Sequence, residues 1–456
     1  MSNLLDVLRI GGNSLEAEQV AAQVIGNNIS NAQTPGFHRQ DAQFTSMQGL
    51  GGVRDVQVQR SANQLLESQL KVQRSQSRYA QSRADGLSQM VSAVGNFDDV
   101  GINAALTDMF NSWRQLTAQP QDISVRAEVL TRSQMFTERV TDAAAHLTAS
   151  RKLADDSVVN SLSTINDNLS QVANLNGLIQ AAKTSGAPPS ALMDQRDDVV
   201  GQLAILTGST SLQQTNGDIS VFLGGVGVVS GNVAYHLEAT RDVTTGFHQL
   251  TVANTTQGIM DSRIKGGELG AQLALRDTDI AGAQSQLDQF AVDVATAINT
   301  VHAAGYGLDG VTGRNVFAPP GAVAGAASLL TLDAAVSATP AALAAASTAA
   351  TAAGGNDQAL AITGLESALV AQGNTQTLGS SVTQLISYSG RLLADARGEG
   401  EQATAFLQQT QTMWEQQHGV SLDEQMLQLS RIQNAYQAAA KLISTVNSML
   451  ETLQRL

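Results

Sequence analysis

Near the end of the chain, apolar residues fall at Leu422, Met426, Leu429, Ile432, Tyr436, Ala440, Ile443, Val446, Leu450 and Leu453. Every step is three or four positions, which places all of them on one face of an α-helix. A terminal segment is normally frayed and polar, so an apolar face this long predicts a covering helix. The start of the chain supplies a candidate: Leu4, Leu8, Leu15, Val24, Ile25 and Ile29 form a second, weaker stripe. Gly11, Gly12 and Asn13 are expected to break it early, and Asn27, Asn28, Asn31, Pro35 and Gly36 to end it, because these residue types favour turns and helix exits. The same cluster has a second reading, tight backbone packing where subunits meet.

Between the ends the texture changes twice. Residues 41–58 are Gly- and Val-rich and read as extended or irregular, whereas 60–94, 101–117 and 122–182 return to helical spacing. The clearest run is Val158, Leu162, Ile165, Leu169, Val172, Leu175 and Ile179. Unbroken, 122–182 would make a rod on the order of 90 Å long, stopped by Pro188 and Pro189. After Gly208, short β-branched runs at 219–223, 226–229 and 248–252 lie between glycine and asparagine turns and predict strands. Helical spacing resumes at 267–304 and again at 380–417, and Gly419 permits a break before the terminal stripe.

The expected fold class is mainly α with a β-rich insertion. Terminal helices form a coiled-coil-like stalk that carries a helical body domain and a small β-rich outer domain. The expected division is a terminal helical assembly domain from 1–45 and 419–456 and a helical body from 46–205, 263–305 and 376–418. A β-rich outer domain occupies 206–262. Residues 306–375, rich in Ala, Gly and Thr, are either a flexible segment or part of the outer domain.

One segment carries a resemblance. Ile25-Gly26-Asn27-Asn28-Ile29-Ser30-Asn31-Ala32-Gln33-Thr34-Pro35-Gly36-Phe37 resembles the signature of the axial proteins of the bacterial flagellum, the rod, hook and hook-associated proteins. Within that superfamily the chain resembles the first hook-associated family, whose members join hook to filament. Gly36 to Gln40, Phe110 to Trp113 and Arg126 to Leu130 are similar to its N-terminal blocks. Asp194-Gln195-Arg196-Asp197 with Leu203 to Gly208, Gly266 to Ala271 with Leu275 to Asp277, and Asn299 to His302 resemble its internal motifs. Gly419 to Glu424, Ala435 to Ala438 and Lys441 resemble its C-terminal block. Against that family, 206–375 leave limited room for outer domains.

The resemblance implies a structural subunit of the hook–filament junction, exported unfolded, secreted, and assembled through its terminal helices. It also implies the partners: copies of itself in a ring, hook protein on one side, a second junction protein on the other, and an export chaperone covering the C-terminal stripe before secretion. Leu4, Leu8, Leu15, Val24, Ile25, Asn27, Asn28, Ile29, Asn31, Pro35 and Gly36 become candidate assembly residues. Leu422, Met426, Leu429, Ile432, Tyr436, Ile443, Val446, Leu450 and Leu453 become candidates for both assembly and chaperone binding. Both ends are expected to order on assembly, since isolated helices are marginal in water. Another axial protein, of the hook or distal rod, is the alternative.

Composition narrows the classes. With 26 basic and 40 acidic residues, a net charge of −14, and no long basic run, a nucleic-acid surface is not expected. Zero cysteines exclude disulfides, thiolate zinc sites and cysteine nucleophiles. No window approaches twenty uninterrupted apolar residues, so membrane insertion is not expected, and residues 1–30 lack the layout of a cleaved signal peptide.

No catalytic, cofactor or metal residues are expected. The six histidines, His38, His146, His236, His248, His302 and His418, lack the i, i+4 spacing of a zinc protease. Gly224, Gly225, Gly227 and Gly231 sit between strand-like runs with no following Gly-Lys-Ser/Thr, so they do not form a phosphate cradle. Asp277 and Asp279 read as a solvated face, and Asp194 to Asp197 as a helix N-terminal cluster in which Arg196 pairs with a carboxylate. An enzymatic insertion would have to lie in 206–262 or 306–375, where no nucleophile or metal constellation occurs.

Overall fold

Helix α1 (Ser2–Ser30) leads into an antiparallel hairpin, β1 (Gln40–Ser46) with β2 (Val53–Arg60), in which Gln40 faces Arg60. Four helices follow: α2 (Gln64–Val94), α3 (Ile102–Ala118), α4 (Ile123–Ser185) and α5 (Ser190–Thr207). Next come β3 (Thr210–Gln213), β4 (Ile219–Leu223), β5 (Val226–Ser230) and β6 (Val233–Ala234), a four-stranded antiparallel sheet in chain order. A separate hairpin pairs β7 (Leu237–Arg241) with β8 (His248–Val252). Helix α6 (Gly267–Ala274) passes through one π-helical turn, Leu275–Asp279, into α7 (Ile280–Ala303). The short helices α8 (Ala334–Ser337) and α9 (Asp357–Gly364) precede the two long final helices, α10 (Leu378–His418) and α11 (Leu422–Gln454). This computed structural model describes residues 2–34, 36–46, 53–94, 101–255 and 258–454. The observed architecture is the expected one, mainly α with a small β-rich insertion.

The 63-residue α4 is the beam of the body, about 95 Å long at 1.5 Å per residue. Asp122 caps its start by accepting the Ser124 N–H at 2.7 Å, and Gly186, at φ 78°, closes its end in the left-handed conformation. The beam serves two cores. Its first half buries Val129, Phe136, Val140 and Leu147 in a core shared with α2, α3, α7 and α10, with Phe136 edge-on to Phe290 and Phe317 at 6.1 and 6.2 Å. Its second half buries Val158, Ile165, Leu169 and Val172 with Val199 and Leu203 of α5, Val221, Val228 and Leu250 of the strands, and Leu269 of α6. The β-rich segment and the helices flanking it therefore share one core.

Two expectations need correcting. Residues 306–375 are neither flexible nor part of the β-rich unit, for they wrap the first core and bury Val316, Phe317, Val336, Leu343 and Ile362. The alanines that suggested weak packing are what lets this segment lie close: Ala342, Ala344, Ala345 and Ala346 are all buried. Asn299 pins it, accepting the N–H groups of Val316 and Phe317 at 2.9 and 3.0 Å and donating to the Phe317 carbonyl at 2.9 Å. The second correction is α1, which runs unbroken through Gly11, Gly12 and Asn13. A Cβ built on Gly11 would lie 2.7 Å from Ile443 Cγ1 of α11, so the glycine lets the two helices approach closely there. Tertiary contact overrides its poor helix propensity.

Glycine is also required where α5 ends against the start of α6. Gly208 and Gly267 have φ of +68° and +65°, and a Cβ on Gly267 would meet the Thr207 and Gly208 nitrogens at 2.6 Å. Two of the internal motifs are thus one backbone crossing. Gly267→Ala should destabilise the purified protein by about 2–4 kcal/mol, because neither a left-handed backbone nor a backbone contact yields cheaply. Gly12→Ala, with no atom within 4 Å of the added carbon, should instead stabilise by roughly 0.5–1 kcal/mol. Equal effects of the two substitutions in chemical denaturation would refute this account of the crossing.

His302 gives a pH dependence. Its Nδ1 lies 2.7 Å from the Arg314 carbonyl and its Nε2 accepts the Ala344 N–H at 2.8 Å, which fixes the neutral Nδ1–H tautomer. Burial lowers its pKa to about 4. The unfolded chain takes up this proton first, so the ring's contribution is complete above about pH 6.5 and declines toward pH 4, by on the order of 3 kcal/mol. The His302 ring resonance should keep its neutral position at pH 5.5, and a midpoint near 6.5 would contradict the buried tautomer.

Candidate assembly interface

Helices α1 and α11 lie antiparallel, with Gly11 against Ile443 at one end and Asn28 bonded to Gln425 at the other. The opposite side of α1 rests on the β1–β2 hairpin. Being covered on two sides, α1 buries Gly11, Ala17, Ala21, Val24, Ile25 and Asn28, while Leu4, Leu8, Leu15 and Ile29 are half-buried. Ala17 and Ala21 did not figure in the apolar stripe, because alanine signals contact only when a neighbour approaches closely.

On α11 the face toward α1 consists of Gln425, Leu429, Ile432, Ala439, Ile443, Val446 and Leu450, of which only Gln425 and Val446 are fully buried. Leu422, Met426, Tyr436 and Leu453, expected on the same covered face, are exposed instead, together with Leu427, Leu442 and Met449. At 100° per residue Leu422 and Met426 lie on one flank of the covered face, in the first half of the helix, and Leu442, Met449 and Leu453 on the other flank in the second half. Tyr436 lies within the arc of the covered face but is left open there, and Leu427 is on the far side.

The pair joins the body at a neck. Asn28, in the last turn of α1, reads the Gln40 backbone in both directions: Nδ2 donates to the Gln40 carbonyl at 2.8 Å and Oδ1 accepts the Gln40 N–H at 2.9 Å. The same Nδ2 donates to Gln425 Oε1 at 3.0 Å, so one side chain links α1, β1 and α11. Asn27 and Asn31 stay at the surface, with Asn31 Nδ2 donating to the Asn27 carbonyl at 3.0 Å to finish the helix. Gly36 turns the chain at φ 78°. Pro35 lies outside the described residues.

Beyond the turn, His38 is buried among charged groups. Its Nδ1 is 3.0 Å from both the Gly36 carbonyl and Asp194 Oδ1, and its Nε2 is 3.0 Å from Glu67 Oε1. Arg60 of β2 places Nε 2.9 Å from Asp194 and Nη2 2.6 Å from Asp197. The rings of Trp414 and His418, from the end of α10, meet His38 at 5.3 and 5.4 Å. His418 ties the neck to the body: its Nε2 accepts the Asn63 N–H at 3.0 Å, and its carbonyl accepts the Arg39 N–H at 3.2 Å. Burial would deprotonate His38, but its bonds to Asp194 and Glu67 outweigh burial and hold its pKa above the ordinary value. Burial, with the nearby charge of His38, lowers that of His418.

The Asp194–Asp197 motif thus divides its work. It lies in the second turn of α5, not at the N-terminus, and Asp194 and Asp197 face the neck. Arg196 points the other way, fully buried, and donates to the Gly217 carbonyl at 2.9 Å and to Asn176 at 3.2 Å. It also pairs with a carboxylate as expected, Asp197 at 3.8 Å, and its two hydrogen bonds clamp the β3–β4 turn. Asp279 is likewise no solvated residue; it is buried and receives Arg83 through two bonds, at 2.9 and 3.0 Å. Arg276 gathers Asp155, Asp261 and Asp277 at 2.7 to 2.8 Å and fixes the π-helical turn against β8. Among the described residues no group of three potential metal ligands is present, and no helix is long and apolar enough to cross a membrane.

A family model described as the flagellar hook-associated protein FlgK helical domain matches residues 87–317, just over half of the chain. The chain belongs to the FlgK family. Models of the flagellar basal body rod proteins match the two ends that form the helix pair, at residues 8–38 and 416–456. The flagellar hook-associated protein 1 of Bacillus subtilis is 26% identical over 96% of this chain and 95% of its own length. That of Salmonella typhimurium is 28% identical over 70% of this chain, and the match spans 59% of that longer relative. The fold matches that of the flagellar hook junction protein FlgK from Burkholderia pseudomallei at a TM-score of 0.69, with 18% identity, over 78% of this chain and all of that one. As a FlgK-family member the chain is a structural, hook-associated component of the bacterial flagellum, and the expectation of the first hook-associated family holds over that of a hook or rod protein.

Several neck residues had no sequence signal. Arg60, Glu67, Trp414, His418 and Gln425 stand in ordinary helical or extended surroundings, and only the fold brings them to the signature. Asn28→Ala would leave the Gln40 backbone groups and the Gln425 side chain unpaired, at a cost of about 1–3 kcal/mol. Loss of hydrogen-exchange protection should be confined to the ends and the hairpin, with the α4 core unchanged. Protection that falls evenly over the whole chain would count against a separate neck.

Proposed function

We propose that this protein forms a ring of identical subunits between hook and filament, with the α1–α11 pair as its inner layer. The carrying observation is the pair of uncovered flanks on α11. One helix neighbour covers one face, and apolar residues on both sides of that face remain open, as suits a helix with further neighbours in a closed layer. Hook protein on one side and a second junction protein on the other would contact the ring. On this reading Gly11, Ile443 and Val446 hold the pair within one subunit, and Leu422, Met426, Tyr436 and Leu453 meet neighbours.

Export fits the same distribution of stability. Large apolar side chains fill the two cores, whereas the terminal pair fully buries only Gly11, Ala17, Ala21, Val24, Ile25 and Asn28 on α1 and two side chains on α11. A pair so thinly covered is the first part to open and gains its full stability on assembly. Before export, its exposed apolar residues are a liability, which a chaperone binding the C-terminal stripe would cover by helix-in-groove recognition. Removal of residues 420–456 should abolish that binding.

Met426→Asp and Met449→Asp test the inner-layer reading directly. Both residues are exposed in the single chain, so the monomer's thermal unfolding should hardly move. In the assembled layer each carboxylate would be buried without a partner, and junction formation, filament growth and swimming should be lost. Val221→Asp is the contrast, since it strikes the buried β-sheet core and should lower the unfolding temperature itself. Normal swimming by both methionine variants would end the proposal.

A further inference from the structure

We propose that the neck is a proton-controlled joint, complete only while His38 is an imidazolium and His418 a neutral imidazole, and loosened when either ring changes charge. His38 Nδ1 faces the Gly36 carbonyl and Asp194, and Nε2 faces Glu67; all three are acceptors. A neutral imidazole has one N–H and would set a lone pair against one of them, while the imidazolium satisfies both sides.

Arg60 Nη2 does not supply the missing donor. It stands at nearly equal distances, 2.8 and 3.2 Å, from the two ring nitrogens, which places it over the ring and out of line with either in-plane lone pair. Its charge opposes protonation of His38, as does the burial. Glu67, Asp194 and Asp197 answer the two cations with three carboxylates, and Lys71 of α2 and Glu415 of α10 line the same cleft.

His418 has the opposite requirement. Its Nε2 accepts the Asn63 N–H, and its Nδ1 is 3.1 Å from the Trp414 carbonyl, so the ring must be neutral with its proton on Nδ1. The two rings are 5.4 Å apart, close enough for the charge on His38 to hold His418 neutral. The directions already noted agree: His38 titrates above the ordinary value and His418 below it. The bonds of His38 are therefore present below about pH 6.5 and lost as pH rises through its raised value. Those of His418 are present above about pH 6.5 and weaken as pH falls. The joint is tightest in the window between, and either departure frees the α1–α11 pair from the body. This inference concerns the joint alone and does not depend on which neighbours α11 meets.

Ring-carbon NMR of the full chain between pH 4.5 and 9 tests it. We expect a His38 midpoint above 6.5 and a His418 midpoint below it. The Arg39 and Asn63 amides, which donate to His418 across the neck, should lose about tenfold in hydrogen-exchange protection for each pH unit between about 6.5 and the His38 midpoint, and level off above it. Amides in the middle of α4 serve as the internal reference. His38→Gln should remove the alkaline loss and keep the acid one. Glu67→Gln should lower the His38 midpoint, a readout available even where His38→Gln folds poorly. A His38 ring already neutral at pH 6, or neck protection that stays flat across the range, would overturn the proposal.

Discussion

Asn28 and Gln425 share a hydrogen bond across 397 positions of sequence, and the rest of the molecule is the arrangement that lets them meet. Closing so long a loop costs little more than closing a short one, because the entropic cost rises only with the logarithm of length. What matters is that the intervening chain folds so that both ends leave from one place. Helices α2 and α10 achieve this by running antiparallel, with Asn63 against Gln417 near the neck and Arg83 against Glu399 further along. They return the chain to the point from which it departed, and α1 and α11 pair there.

The body gains its rigidity from one helix used twice. α4 belongs to both cores, so the strands, α5 and α6 are not free to swing relative to α3, α7 and the 306–375 segment. One charged clamp reinforces the junction between them, Arg276 on Asp155, Asp261 and Asp277, while Arg196 ties α4 and α5 to the turn before β4 within the second core. A lone buried arginine would be costly, and Arg276 is met by three carboxylates. The π-helical turn at Leu275–Asp279 lies where Arg276 reaches its three carboxylates, and the irregular backbone is held by those bonds.

Against this rigid body the terminal pair is thinly held. Its closeness depends on glycine and alanine contacts on α1, and its attachment on the hydrogen bonds of Asn28, His38 and His418. Such bonds are directional and individually modest, so they fix an orientation without adding much stability. This division, a firmly packed body with a lightly attached pair of ends, is what the proposed assembly through the terminal helices would use.

The sequence by itself determined the elements: the unbroken span of α4, the strands at 219–223 and 248–252, the break at Gly419 and the two terminal helices. Spacing of apolar residues is local and survives any choice of neighbour. It also carried the signature and the motifs at 194–197, 203–208 and 266–271. What those motifs are for was decided by tertiary structure, which laid Gly208 against Gly267, set Asp194 and Asp197 beside His38, and buried Asp279 under Arg83. The Ala-rich 306–375 segment misled, because alanine looks weak in a pattern and packs well once a surface is supplied. Gly11 misled for the same reason, its missing side chain being a defect in an isolated helix and a point of close approach in a pair. Nor could periodicity divide the α11 stripe into covered and open flanks. A helix face is a property of one chain segment, but which part of it is covered depends on the shape of the partner.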